Sequence, residues 1–302
     1  MNGPVVAVHG GAGGISHELR EHADECRAAL KSALEAAAQA LIDGGGAVEA
    51  VCVAVIVMES FPLFNAGCGS ALCADGSVEL SASVMRGSDR AAGGVAMMTR
   101  TAHPVAAAVA LLDEPEVLIA GERADAFAAA SGLEQLEPAE FVTERQRRRL
   151  AQRLAGEEPS AGAPSRPRTD PETVGAVCLD ADGLLAAATS TGGLHGQRPG
   201  RVGDSPLIGA GTWADRHVAV SCTGQGEAFI RAGAARLVAA LVEQGRTLES
   251  AARQALATVA ECGGNGGLIA VDAQGNVITP MLTAAMPRGV WRPGHKPDTM
   301  VP

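Results

Sequence analysis

The feature that most restricts how this chain can fold is a break near its middle. Residues 158–172 hold four prolines, Pro159, Pro164, Pro167 and Pro171, and almost no apolar side chain; at Thr173 the chain passes at once into its cleanest β-pattern, Thr173-Val174-Gly175-Ala176-Val177-Cys178-Leu179. A tract so poor in apolar residues cannot bury enough surface to offset the entropy of ordering it. Inside a compact domain, a run of this length is functional or marks a boundary. Together with the Arg-rich helical stretch 144–154, it reads as a mobile connector over about residues 144–172 that ends abruptly at Thr173.

Both sides of the connector carry the same kinds of element. Residues 4–8 are a β-branched apolar run that feeds the glycine turn His9-Gly10-Gly11-Ala12-Gly13-Gly14. Leu30, Leu34, Ala37 and Leu41 recur at helical spacing within residues 18–43, and Gly44-Gly45-Gly46 ends that helix. Residues 47–59 are apolar nearly all round, which predicts a helix buried between layers. A loop follows at 62–70, a hairpin turns about Asp75-Gly76, and helical patterns return at 104–112 and 117–130. Beyond the connector, strands are predicted at 173–179 and 184–189 about Asp182-Gly183, at 216–221, and in a last hairpin across Gln274-Gly275. Helices are predicted at 227–244 and 248–261. Antiparallel hairpins with paired helices between them make an α+β layered fold, with sheets inside and helices outside. A chain of 302 residues fits one large domain or two small ones.

Composition narrows the function. The chain has five Phe, two Trp and no Tyr, and its net charge is −10. Base-stacking platforms and a phosphate-tracking surface are both disfavoured, so no nucleic-acid partner is expected. Acidic chains of this kind handle small molecules or proteins. Cys26, Cys52, Cys68, Cys73, Cys178, Cys222 and Cys262 form no CxxC pair and read as reduced, buried small hydrophobes. The start lacks a basic leader, and the apolar run 50–58 is far short of the roughly 20 residues a membrane span needs. The expected compartment is the cytoplasm, with no membrane partner. The histidines are scattered without paired spacing and read as surface or satisfied core residues.

Four segments could carry chemistry. The turn at His9 to Gly14 follows a strand, as a dinucleotide site requires, but lacks a third glycine and an acidic strand end about 20 residues on. A turn needing close backbone approach is the better reading. Thr173 by itself is an ordinary strand opener. A cut between Glu172 and Thr173, however, would give it an α-amino group with a pKa near about 7.7–8.0, able to take the proton from its own hydroxyl. Arg201 and Asp204, three residues apart in a loop, match the carboxylate and ammonium of an amino acid, although a local ion pair satisfies that spacing better. Finally, Thr223 and Gly224 offer a hydroxyl and backbone N–H groups just before a helix, an arrangement open to an oxyanion hole or to ordinary capping.

Taken together, VHGGAG (8–13), FNAGxGS (64–70), DGxxEL (75–80), GE (121, 122), TVGAV (173–177), TSTGG (189–193), PGRVGDSP (199–206), SCTGxGE (221–227) and GGxGG (263–267) resemble the plant-type asparaginase and isoaspartyl peptidase group of N-terminal nucleophile hydrolases. The likeness covers most of residues 4–289 apart from the connector. It implies a four-layer αββα sandwich, autocleavage between Glu172 and Thr173 into an α subunit (1–172) and a β subunit (173–302), and a dimer of such pairs. It implies hydrolysis of β-aspartyl dipeptides and L-asparagine, with Thr173 as nucleophile, Thr191 supporting it, Arg201 and Asp204 holding the substrate, Thr223 and Gly224 forming the oxyanion hole, and Asn65 lining the site. No catalytic cofactor is implied. A structural sodium is implied on the main-chain carbonyls of Met58, Glu59, Phe61, Phe64, Ala66 and Cys68.

The chain departs from the family pattern at several positions. Glu172 stands where Gly is usual before the nucleophile, which bears on the rate of maturation. Glu79-Leu80-Ser81-Ala82-Ser83-Val84-Met85-Arg86-Gly87 replaces ELDASIMDG, and Pro280-Met281-Leu282-Thr283 replaces PFNT, changes that bear on the pocket wall or subunit contacts. Three other readings stand beside the hydrolase: a glycosylasparaginase-like amidase, a nucleotide-binding oxidoreductase using the His9 to Gly14 turn, and an uncleaved amino-acid-binding protein.

Overall fold

In the computed structural model the described residues are 3–156 and 173–302. The proline tract, Glu172 and hence the expected cleavage junction lie outside them. In chain order the first part carries β1 (Val5–His9), α1 (His17–Glu21), α2 (Ala23–Ile42), α3 (Ala47–Glu59), β2 (Leu80–Arg86), β3 (Ala92–Met98), α4 (Pro104–Ala110), β4 (Leu118–Ala120), α5 (Glu122–Ala130) and α6 (Glu144–Leu154). The second part carries β5 (Val174–Leu179), β6 (Leu185–Thr191), β7 (Thr212–Ala214), β8 (Val218–Gly224), α7 (Gly226–Ala232), α8 (Ala234–Glu243), α9 (Leu248–Glu261), β9 (Gly266–Asp272), β10 (Val277–Ile278), β11 (Arg288–Trp291) and β12 (Asp298–Met300).

Among the described residues the strands form two sheets, one of eight in the order β12-β11-β1-β5-β6-β2-β3-β4 and one of four in the order β10-β9-β8-β7. Their side-chain alternation explains the layering. Val6 and Val8 of β1, with Cys178 of β5 and Ala186 of β6, pack outward against Leu30 and Leu34 of α2 and Val51 and Val55 of α3. Val5, Ala7, Val177, Leu179 and Ala187 point the other way, onto Ala219 of β8 and Ile269 and Val271 of β9. Val218, Val220, Leu268 and Ala270 meet Val238, Leu256 and Val259 of the remaining helices. The chain is a four-layer αββα sandwich. Each inner strand is covered on both faces, which is why β1 and β5 read as continuous apolar runs and are buried throughout.

The inner faces change character along their length. Following the same alternation, β1 continues to His9, β5 runs back to Gly175 and Thr173, β6 reaches Thr189 and Thr191, and β8 reaches Ser221 and Thr223. One end of the inter-sheet layer is therefore aliphatic and the other is lined by hydroxyls and a histidine.

Several elements differ from the sequence expectation. Residues 117–130 are not one helix: Gly121, at φ 65°, separates β4 from α5, and β4 pairs parallel with β3. The helix expected at 227–244 is two, parted by Gly233 at φ 56°. Strand β3 was hidden by Gly93 and Gly94, weak strand formers whose missing side chains make room here. A Cβ at these two would lie 2.0 Å from the Ala108 carbonyl oxygen and 2.7 Å from that of Pro206. The leading part of the stretch read as mobile connector is the docked helix α6: Arg145 donates to the carbonyls of Pro62 and Leu63, buried Gln146 donates to that of Gly69, and Leu150 is buried. Among the described residues no helix is long and apolar enough to cross a membrane.

Candidate active site

Thr173 lies at the polar end of the inter-sheet layer, immediately before β5, and is 5% exposed. Its Oγ1 donates to Thr191 Oγ1 at 3.3 Å, across the antiparallel pairing that sets Val174 opposite Ser190. Thr191 Oγ1 also accepts the Gly193 N–H at 3.1 Å. Asn65 clamps this strand end: its Nδ2 donates to the Gly193 carbonyl at 2.7 Å, its Oδ1 accepts the Ala71 N–H at 2.7 Å, and its own carbonyl accepts the Gly192 N–H at 3.1 Å. Gly192 must lack a side chain, since a Cβ would fall 2.3 Å from Ser70 Cβ. Between Thr189 and Thr191, Ser190 points the opposite way and donates to buried Glu59 at 2.6 Å, pinning β6 from behind.

Arg201 and Asp204 make a second cluster. Arg201 pairs with Glu227, Nε to Oε1 at 2.9 Å, and among the described residues no ion pair joins it to Asp204. Buried Asp204 leaves Oδ2 without a partner, and Arg201 leaves a buried Nη2 without one. Arg201 Nη2 and Asp204 Oδ1 both lie 2.9 Å from the point where Gly226 would carry a Cβ, so they border the same small space at the start of α7. Burial pushes the Asp204 carboxyl up to about 7 in spite of the nearby guanidinium. Buried polar groups without partners are uncommon. A cation and a carboxyl thus lie side by side, each with a buried polar atom that no described residue satisfies.

Thr223 and Gly224 close β8, opposite Gly267 and Gly266 of β9. Thr223 Oγ1 accepts the Ala12 N–H at 3.0 Å, so the glycine turn and this strand end are tied together. No hydrogen bond links Thr223 directly to Thr173 among the described residues. Thr223 joins the Arg201 and Asp204 cluster through the short run to Gly226. The turn itself is committed to the fold: the N–H groups of Gly10 and Gly13 donate to Pro287 and Ala285 carbonyls, and the ring of Phe64 fills the space beside Gly10. These amides are not free to cradle a pyrophosphate, and no helix starts before His17, so the dinucleotide reading fails on geometry.

One residue at the site was passed over in the sequence. His9, read as a surface or satisfied core residue, is fully buried with Nδ1 3.2 Å from the Thr173 carbonyl oxygen and Nε2 3.0 Å from Ser221 Oγ. Burial lowers its pKa to about 3, so the ring is neutral. Its only signal was the period-two run of hydroxyls on β6 and β8 that meets it.

The loop after α3 curls back on itself, with the Cys68 N–H donating to the Glu59 carbonyl at 2.8 Å. Carbonyls of Met58 and Phe61 accept N–H groups of Phe61 and Phe64, at 3.2 and 3.1 Å, and each keeps a second lone pair. Among the described residues no cluster of His, Cys, Asp and Glu could hold a metal. Of the departures from the family pattern, Ser81 accepts the Met97 N–H, Arg86 pairs with Asp89 and Asp113, and Met281 lies against Gly267, the strand partner of Thr223.

A sequence profile of the asparaginase family matches residues 2–301. The isoaspartyl peptidase of Salmonella typhimurium is 44% identical over 308 residues, spanning 99% of this chain and 98% of that protein. The isoaspartyl peptidase of Escherichia coli is 44% identical over 308 residues, spanning 99% and 96%. The human isoaspartyl peptidase/L-asparaginase is 40% identical over 299 residues, spanning 96% and 94%.

Proposed function

The chain belongs to the asparaginase family, and from that premise we propose that it hydrolyses β-aspartyl dipeptides and L-asparagine with Thr173 as an N-terminal nucleophile. The observation that carries the reading is the pairing of two features in one layer: a buried Thr173 hydroxyl bonded to Thr191, and the Arg201 and Asp204 receptacle with unused polar atoms. Autoproteolysis between Glu172 and Thr173 frees the Thr173 amine, whose reference pKa of about 7.7–8.0 leaves a neutral fraction able to take the Oγ1 proton.

Arg201 holds the α-carboxylate of the aspartyl unit and Asp204 its α-ammonium. Thr173 Oγ1 attacks the side-chain acyl carbon, and the developing oxyanion is met by the Thr223 hydroxyl and the Gly224 N–H. The amine returns its proton to the leaving group, ammonia from asparagine or an amino acid from a peptide. Water then cleaves the aspartyl ester and restores the hydroxyl. Thr191 orients Oγ1, and Asn65 keeps the Thr191 to Gly193 segment in place.

The same proposal includes a dimer of αβ pairs, a cytoplasmic setting consistent with seven unpaired cysteines, and a structural sodium on the carbonyls of Met58, Glu59, Phe61, Phe64, Ala66 and Cys68. The closed loop and its oxygen-only donors fit a hard cation. Raised thermal stability in sodium chloride relative to choline chloride is the expected sign of that ion.

The test of function compares leucine released from β-aspartyl-leucine with ammonia released from asparagine. Wild-type protein releases both and Thr173→Ala neither. Turnover by Thr173→Ala at the wild-type rate would refute the assignment.

A further inference from the structure

His9 is the near end of a continuous line of buried polar groups crossing from one sheet to the other. From His9 Nε2 the line runs to Ser221 Oγ at 3.0 Å, Thr189 Oγ1 at 2.7 Å, Thr212 Oγ1 at 2.6 Å, Ser83 Oγ at 2.8 Å and the Ser205 carbonyl at 2.6 Å. All four hydroxyl residues are fully buried, and Ser205 directly follows Asp204. At the other end, His9 Nδ1 reaches the Thr173 carbonyl. Gly175 makes the junction possible, since a Cβ there would lie 2.0 Å from Ser221 Oγ and 2.4 Å from His9 Nε2.

A neutral imidazole carries one N–H, so the line can run in either of two directions. In one, Nε2–H donates to Ser221 and the hydroxyls would have to donate onward to the Ser205 carbonyl, against the geometry in which Ser83 donates to Thr212 and Thr212 to Thr189; Nδ1 then accepts the Gly11 N–H, 3.3 Å away. In the other, every hydroxyl turns over, Ser221 donates to Nε2, and Nδ1–H donates to the Thr173 carbonyl. The two carbonyls compete for one array. Cleavage before Thr173 makes this residue a chain end. Its amine and its Oγ1 both hang from the Cα that precedes the peptide plane whose carbonyl faces His9, and rotation about the Cα–C bond would swing the two together away from Thr191.

Resting on the function proposed above, we propose that His9 is a positioning residue for the nucleophile: its Nδ1–H holds the Thr173 carbonyl, and the hydroxyls of Ser83, Thr212, Thr189 and Ser221, donating in turn toward Nε2, fix that tautomer. Ser83 has one proton and two acceptors, Thr212 Oγ1 at 2.8 Å and the Ser205 carbonyl at 2.6 Å, so the carbonyl next to Asp204 competes for the array that grips the nucleophile.

Three variants separate this from a merely structural role. His9→Asn places an amide N–H near the Nδ1 position and keeps the donor to Thr173; His9→Gln places it near Nε2 and loses that donor. For β-aspartyl-leucine, kcat of His9→Gln is expected to fall about 100-fold, as for a nucleophile misplaced by about 1 Å. That of His9→Asn stays within about fivefold of wild type, the worth of one neutral hydrogen bond, and Thr212→Val, which cuts the line midway, loses about fivefold. In all three KM stays within about twofold, because the Arg201 and Asp204 receptacle is untouched. Equal kcat for the two His9 variants, a loss expressed in KM, or wild-type kcat for Thr212→Val overturns the proposal. Should the His9 variants fail to fold or cleave, Thr212→Val decides by the same criteria. Nitrogen-15 spectra of histidine-labelled wild-type protein give a reading independent of turnover: the Nδ1–H tautomer supports the proposal, and the Nε2–H tautomer overturns it. A wild-type protein inert on aspartyl substrates would refute the proposed function, and the tautomer would still decide the role of His9.

Discussion

Asp204 makes the site sensitive to pH in a direction that can be worked out. Its carboxyl titrates near 7 in the substrate-free protein against an ordinary 3.8, with burial as the cause. At 1.36 kcal/mol per pH unit, ionising it in place costs about 4 kcal/mol. Below pH 4 both folded and unfolded chains hold this proton and the cost is absent; as pH rises through 7 the folded protein must ionise a buried group, and that part of its stability is lost. A bound α-ammonium reverses the balance by giving Asp204 a partner, so binding expels a proton whenever Asp204 starts protonated. L-Aspartate, the product, is therefore expected to bind about 10-fold more weakly for each pH unit below 7, reaching about 100-fold at pH 5. Titration calorimetry at pH 5, 6 and 7 in two buffers of different ionisation heat measures both the affinity and the proton released. Asp204→Asn should bind weakly at every pH, with no proton release, and unliganded should be more stable than wild type at pH 8 by a few kcal/mol. Wild-type affinity that is flat from pH 5 to 7, with no dependence on buffer, would show that Asp204 enters the complex already charged, and the reasoning from its burial would be wrong.

Substitutions at three further positions follow from contacts already described. Gly175→Ala forces a Cβ into His9 and Ser221 and is expected to lower unfolding stability by about 1–3 kcal/mol, read as a drop in denaturant midpoint; an unchanged midpoint refutes the close approach. Asn65→Ala strands a buried carbonyl and a buried N–H, at Gly193 and Ala71, each worth about 1–3 kcal/mol. Asn65→Asp, which keeps the acceptor, should recover part of that loss, and two equally unstable variants would contradict the assignment of both bonds. Glu227→Gln removes the charge opposite a half-exposed ion pair with Arg201, so KM should rise about two- to fivefold at unchanged kcat and become less dependent on salt. A fall in kcat alone would place Glu227 in a different role.

Much of the fold was legible in the chain because its inner strands are covered on both faces. The apolar runs at β1 and β5, the helix α3 at 47–59 and the helix α9 at 248–261 could be read from pattern alone. Strands β3 and β11 could not, because Gly93, Gly94 and Gly289 carry no β-signal and are selected by close packing against neighbours instead. At the site, Thr173 was visible as the first residue after a compositional break. The spacing of Arg201 and Asp204 suggested an ion pair between them, whereas Arg201 pairs with Glu227, 26 residues further on and out of reach of a local reading. His9 was invisible for a stronger reason. Its partners are 164 and 212 residues away, and a lone buried histidine has no local signature until the sheets that enclose it are laid face to face.

The central claim is that the hydroxyl and amine of one residue, Thr173, perform the chemistry after the chain is cut. Amino-terminal sequencing of purified protein, carried out on the same sample whose β-aspartyl-leucine turnover has been measured, tests it most directly. The expected result is two chains, the second beginning TVGAV, with activity proportional to the cleaved fraction. A single uncut chain that turns over substrate at the full rate would contradict it.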